Sequence, residues 1–87
     1  MNQSILFNND MTWNAQLECV EFSAIAAGSI IKCQLTMPYL HKKGINNHAS
    51  QRAIIEFCTL IEFDIEEDAQ HSINEELFND DGILVLQ

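Results

Sequence analysis

Leu17-Glu18-Cys19-Val20-Glu21-Phe22-Ser23-Ala24-Ile25, then Ala26-Ala27-Gly28, then Ser29-Ile30-Ile31-Lys32-Cys33-Gln34-Leu35-Thr36-Met37 is the stretch that decides the fold. Apolar and polar residues alternate on both sides of a small-residue turn. That is the period of half-buried strands, so the segment reads as an antiparallel hairpin. With the turn centred on Ala26 and Ala27, Phe22 falls opposite Ile31 and Val20 opposite Cys33 on one apolar face. Glu21 then falls opposite Lys32, and Cys19 opposite Gln34, on the other. Gly28 offers an alternative, a bulge that slips one strand.

Working outward, Ile5-Leu6-Phe7 is a short apolar strand stopped by the turn cluster Asn8-Asn9-Asp10, whose side chains can bond their own backbone. Trp13, between that turn and the hairpin, is placed to cap one end of the core. Beyond the hairpin, Pro38 near the start, Lys42 and Lys43 in the last turn and Gly44 at the end mark a helix of one to two turns. Asn46 to Ser50 is a loop, with Asn47 or Ser50 capping the next helix.

In that helix Ile54, Phe57, Cys58, Ile61 and Ile65 fall on one arc of roughly 100°, which should lie on the sheet. Continued straight, Ile73 and Leu77 drift out of the arc and Asp68 falls inside it. A helix from Ser50 to Phe78 would also run about 43 Å, against about 30 Å for a nine-residue strand. Ser72-Ile73-Asn74-Glu75 has the form of a capping box, so a break is expected between Gln70 and Ser72. Asn79-Asp80-Asp81-Gly82 is a turn. Ile83-Leu84-Val85-Leu86 follows as a strand without alternation, which should be covered on both faces or lie at a subunit contact.

The chain has 87 residues, 47% hydrophobic and 20% charged, the balance of a single globular domain. Thirteen acidic side chains against four Lys and Arg give a net charge of -9, which repels nucleic acid and anionic membranes and suits basic partners or cations. Met1 to Asn8 lack the pattern of a signal peptide. No segment reaches the roughly 20 apolar residues of a membrane span. Three cysteines, Cys19, Cys33 and Cys58, have no metal-ligand spacing and suit a reducing compartment, so the expected location is cytoplasmic.

Phe7, Trp13, the Val20-Glu21-Phe22 strand, Cys33, Leu40 and Ile65-Glu66-Glu67-Asp68-Ala69 with Ile73 form a pattern that spans nearly the whole chain. In these positions the sequence resembles the short proteobacterial domain-of-unknown-function family 1488. The resemblance implies a compact α+β domain and transfers no catalytic residue.

Site chemistry is weakly signalled. The expected register puts Cys19 and Cys33 on opposite faces, which excludes a shared metal or disulfide. Asp68-Ala69-Gln70-His71 has the carboxylate-x-x-His spacing of di-iron bundles, but those need two such motifs and further carboxylates. Leu77 occupies the first ligand position that a calcium loop at Asn79 to Gly82 would need. No spacing favours a nucleophile, and the glycines form no phosphate loop. No catalytic residue, metal ligand or cofactor is therefore assigned.

Charge is the informative polar feature. Every acidic residue from Glu56 to Asp81 lacks a basic neighbour in sequence, while His41, Lys42, Lys43, His48 and Arg52 cluster before them. The run reads first as a solvated face, and otherwise as a docking surface for a basic protein partner or a second copy. Phe63 projects from this helix opposite the core stripe, near Glu56, Glu66 and Glu67. Either the C-terminal segment covers it or it is an exposed contact residue.

The expected fold is thus a two-layer α+β domain. Its antiparallel sheet comprises the short N-terminal strand, the hairpin and the C-terminal strand, with a short helix and a long broken helix on one face. The expected function is a non-enzymatic interaction or regulatory module acting through Phe63, Glu56, Glu66 and Glu67, with an unknown protein partner or as a homodimer. The alternative is a small-ligand or divalent-cation binding domain. A transcription regulator is disfavoured by the net charge.

Overall fold

A computed structural model describes residues 5–87. The order is β1 (Ile5–Phe7), β2 (Thr12–Asn14), β3 (Cys19–Ala26), β4 (Ser29–Thr36), α1 (Met37–Lys43), α2 (Gln51–Leu60), α3 (Glu62–Asn74) and β5 (Leu84–Leu86). The expectation that no signal sequence begins at Met1 to Ser4 lies outside the described residues. The fold is α+β, with the helices on one face of the sheet, as the sequence leads one to expect. Among the described residues no helix is long and apolar enough to cross a membrane.

The sheet runs β1-β3-β4-β5, with β2 also pairing β3. On the inner face of the hairpin Val20 lies opposite Leu35, Phe22 opposite Cys33 and Ala24 opposite Ile31. The expected register is therefore displaced by two residues. The turn is Ala27-Gly28 rather than Ala26-Ala27, because both of its residues take positive φ (52° and 80°), the two-residue turn whose twist matches the strands. A slip of two keeps every side chain on its expected face, so the inner and outer sets survive the correction. Cys19 is the exception in burial, since it stands on the outer face yet is buried, between Asn14 and Thr36 in its row.

β1 and β2 pair in turn along the same edge of β3. Between them Asn8 to Met11 loop outward over fewer residues of β3, with Asn9 in the left-handed region (φ 54°). Asp10 takes the place of the missing strand partner: its carboxylate accepts from the Ser23 N–H at 2.9 Å and the Ser23 hydroxyl at 2.6 Å. Burial tends to raise the Asp10 carboxyl, but these Ser23 contacts outweigh it and lower it. Trp13 lies in the short strand β2, opposite Val20, rather than in a loop.

β5 pairs parallel to β4, which corrects the wholly antiparallel sheet. A parallel neighbour needs a crossover, and the three helices supply it. Thr36 ties its two ends, since its hydroxyl accepts from the Tyr39 N–H as the cap of α1 and donates to the Leu86 carbonyl at 3.0 Å. Leu84 and Leu86 are buried and Val85 half-buried, so the strand alternates in burial though not in sequence.

The long helix breaks at Ile61 (φ -104°, ψ 26°), and not near Gln70 to Ser72. Each part has its own apolar stripe, Ile54 and Cys58 in α2 and Ile65, Ala69 and Ile73 in α3. A straight helix would carry the second stripe off the sheet, and the bend returns it. Thr59 supplies a local cause, because its hydroxyl donates to the Ile55 carbonyl at 3.0 Å, a back-bond that bends helices. Ser72-Ile73-Asn74-Glu75 closes α3 instead of opening a helix: the Leu77 N–H bonds the Ser72 carbonyl and the Glu76 N–H that of Ile73, with Glu76 in the left-handed region.

Ala27 carries the strain of that conformation without the side-chain compensation of Asn. Ala27→Asn should raise the unfolding free energy by about 0.5–1 kcal/mol, read as a higher denaturant midpoint at unchanged slope. A turn centred one residue earlier gives no gain.

Candidate functional site

Two features adjoin on the helical side. The first is the outer surface of α2 and α3. Because Ile54, Cys58, Ile65 and Ala69 turn inward, residues half a turn away must point to water. Phe63 is 83% exposed, so the C-terminal segment does not cover it, and Leu60 is exposed to the same 83%. The two stand three residues apart in sequence, on either side of the bend at Ile61. Leu60 was not singled out in the sequence, although at about 100° per residue it stands roughly 110° from the centre of the core stripe, on the solvent side.

Carboxylates surround this pair. Glu56 and Glu67 are exposed and Glu62 and Glu66 half-buried. Partial burial, and then the charge of Glu62, push the Glu66 carboxyl above its usual value. The Arg52 guanidinium lies 3.4 Å from Glu56, with both side chains largely exposed, a pair of little energetic consequence. Among the described residues no base forms an ion pair with Glu62, Glu66 or Glu67. Of the residues singled out in the sequence, Phe63, Glu56 and Glu67 are exposed and Glu66 is half-buried, and Glu67 also lines the cleft described next.

The second feature is a cleft of about 730 Å³ between α1, α3 and β5, lined by Tyr39, Lys42, Lys43, Asp68, His71 and Val85 among others. Asp68 is the acid that a straight helix would have driven into the apolar arc. It is half-buried and doubly held, accepting from the Tyr39 hydroxyl at 2.6 Å and lying 2.9 Å from the Lys43 ammonium. Burial on its own would raise the Asp68 carboxyl, but Tyr39 and Lys43 outweigh it and lower it. The Tyr39 phenol is pushed up by burial and by Asp68, so it stays a donor. Lys42 donates to the Gln87 carbonyl at 2.7 Å. Of the basic cluster before α2, Lys43 is half-buried against α3 and Lys42 reaches the end of the last strand, while His41, Lys42, His48 and Arg52 are all exposed.

Nothing here resembles an activated nucleophile. Cys33 and Cys58 are fully buried, and burial pushes their thiols up to about 12 and about 11, the behaviour of inert core cysteines. Among the described residues no three His, Cys, Asp or Glu side chains gather as a metal site. Asn79 to Gly82 is a turn closed by the Asn79 side chain, which accepts from the Asp81 and Ile83 N–H groups at 2.9 Å.

Residues 5–86 match the family described as "Protein of unknown function (DUF1488)". The chain is similar to a solved protein of unknown function of that family from Shewanella loihica PV-4, with 30% identity and a TM-score of 0.90 over 99% of this chain and 94% of that one. Among curated proteins, none matches. The chain belongs to the DUF1488 family.

Asp68→Asn keeps the shape but removes the charge that Tyr39 and Lys43 hold, and should cost about 1–3 kcal/mol at neutral pH. A lowered carboxyl stabilises the fold above its unfolded value of about 3.9, and that stabilisation is lost as pH falls through the lower folded value. Chemical denaturation across that range should show the gap between parent and variant closing below about pH 4. A gap independent of pH would mean the carboxylate is not the source.

Proposed function

We propose that this DUF1488 protein is a non-catalytic interaction module of the cytoplasm, whose α2–α3 surface takes a basic segment of another protein. The observation that carries the reading is that Leu60 and Phe63, each 83% exposed, flank the bend of a helical segment rich in carboxylates. Large apolar side chains held on a rigid helix gain free energy when a partner covers them, and an aromatic at the centre of such a patch is a common anchor. The surrounding acids choose the partner's sign: an acidic segment meets repulsion and a basic one relieves it. Among the described residues neither Glu62 nor Glu66 forms an ion pair with a base, so a lysine or arginine brought by a partner finds an unpaired carboxylate there. Three buried, unpaired cysteines accord with a reducing compartment.

A second reading, a small polar ligand, rests on the α1–α3 cleft, whose volume lies within the range of small-molecule sites. Its lysines are already engaged with Asp68 and Gln87, which weighs against a free anion site. Titration calorimetry with inorganic phosphate and with calcium, magnesium, zinc and manganese separates this reading from the first. Flat traces for all of them remove it.

For the leading reading, Phe63→Ala should weaken an identified partner at least about tenfold, and so should Glu66→Lys combined with Glu67→Lys. For Phe63→Ala the unfolding free energy should stay within about 0.5 kcal/mol, as for other exposed sites, and added salt should weaken the wild-type complex. Partners that bind both variants as tightly as the parent would defeat the reading.

A further inference from the structure

The helices cover only the side of the sheet that Val20, Phe22, Cys33 and Leu35 face. The other side carries an apolar row in ladder register, with Leu6 opposite Ile25 and Ile25 opposite Ile30. Directly opposed residues on neighbouring strands point the same way, so the three side chains stand abreast. Leu6 is 63% and Ile30 72% exposed. Leu17, 61% exposed, and Ile83 line the same open groove together with Glu21 and Lys32. Leu60 and Phe63 lie on the opposite side of the molecule, so this surface is independent of the function proposed above.

Charge selects the occupant. A second copy of a chain with net charge -9 is repelled most strongly at the acidic helices. The open side of the sheet is nearly balanced, its groove holding Asp10 and Glu21 against Lys32. Lys32 makes no ion pair among the described residues. Glu21 is held in place by the Asn14 and Gln34 amides, each donating at 3.2 Å.

The surface is also self-complementary. Consider two copies stacked about 10 Å apart, related by a two-fold axis lying along the strands between β3 and β4. The two apolar rows then fall on each other, and Lys32 of one copy comes over β3 of the other, one row from its Glu21. With β3 and β4 about 27 Å long, β1 and β2 together about 20 Å and β5 about 10 Å, strands about 4.8 Å apart present roughly 400 Å² per copy. A pair would bury about 800 Å², the scale of a weak, concentration-dependent association rather than an obligate dimer.

We propose that the open face of the sheet is a homodimer interface, in which Leu6, Ile25 and Ile30 of two copies pack together and Lys32 of each reaches Glu21 of the other. Sedimentation equilibrium of the full chain should give a concentration-dependent dimer. Ile30→Glu should raise its dissociation constant on the order of 100-fold, with an unchanged circular dichroism spectrum because Ile30 is exposed in the single copy. Lys32→Glu should weaken the dimer as well, whereas Phe63→Glu should leave it intact. A monomer at every concentration up to the solubility limit overturns the proposal. A dimer that survives Ile30→Glu, or one that Phe63→Glu dissolves, does so too.

Discussion

Burial of one side of the β3–β4 hairpin beneath the bent α2–α3 helix is the constraint on which the rest of the structure depends. Val20, Phe22, Cys33 and Leu35 from the strands meet Ile54, Cys58, Ile65 and Ala69 from the helices in one cluster. Full burial of a Leu or Ile side chain contributes roughly 1.5–3 kcal/mol, comparable to a sizeable part of the stability of a domain this small. The helix must therefore follow the sheet, even where its own periodicity would carry it away. The bend at Ile61 is the result, and it leaves Leu60 and Phe63 on the solvent side.

The polar contacts secure this arrangement at its margins. Thr36 joins the start of α1 to β5, and Tyr39 and Lys43 of α1 converge on Asp68 of α3. An acid beside the core is tolerated because both of its partners come from a single short helix whose position Pro38 and Gly44 define. The same contacts draw Lys43 partly inward, while His41, Lys42, His48 and Arg52 stay exposed. The molecule consequently presents two unlike surfaces, a strongly negative helical side with an apolar pair and a nearly neutral sheet side with an apolar row.

Much of this was legible in the residues. Alternation gave the two sides of the hairpin, and α1 was readable from Pro38, Lys42, Lys43 and Gly44. Helical periodicity turned Phe63 away from the core stripe, but left open whether the C-terminal segment covers it, and the structure shows it exposed. The register was not legible, since Ala26-Ala27 and Ala27-Gly28 both satisfy the alternation and only the backbone twist of the strands chooses the second. β2 was hidden because Thr12-Trp13-Asn14 is too short to show a period. The site of the bend was also misread: Ser72-Ile73-Asn74-Glu75 has the composition of a helix start but sits where the chain must leave α3.

The sequence by itself thus determined which residues prefer the interior and which secondary structure each segment favours, since these follow from the periodicity and chemistry of near neighbours. Tertiary structure alone decided the parallel pairing of β5, the position of the bend, and the capture of Asp68 by Tyr39 and Lys43. Each of these joins residues far apart in the chain or balances two local preferences that differ by little, so its outcome is set by packing against the sheet.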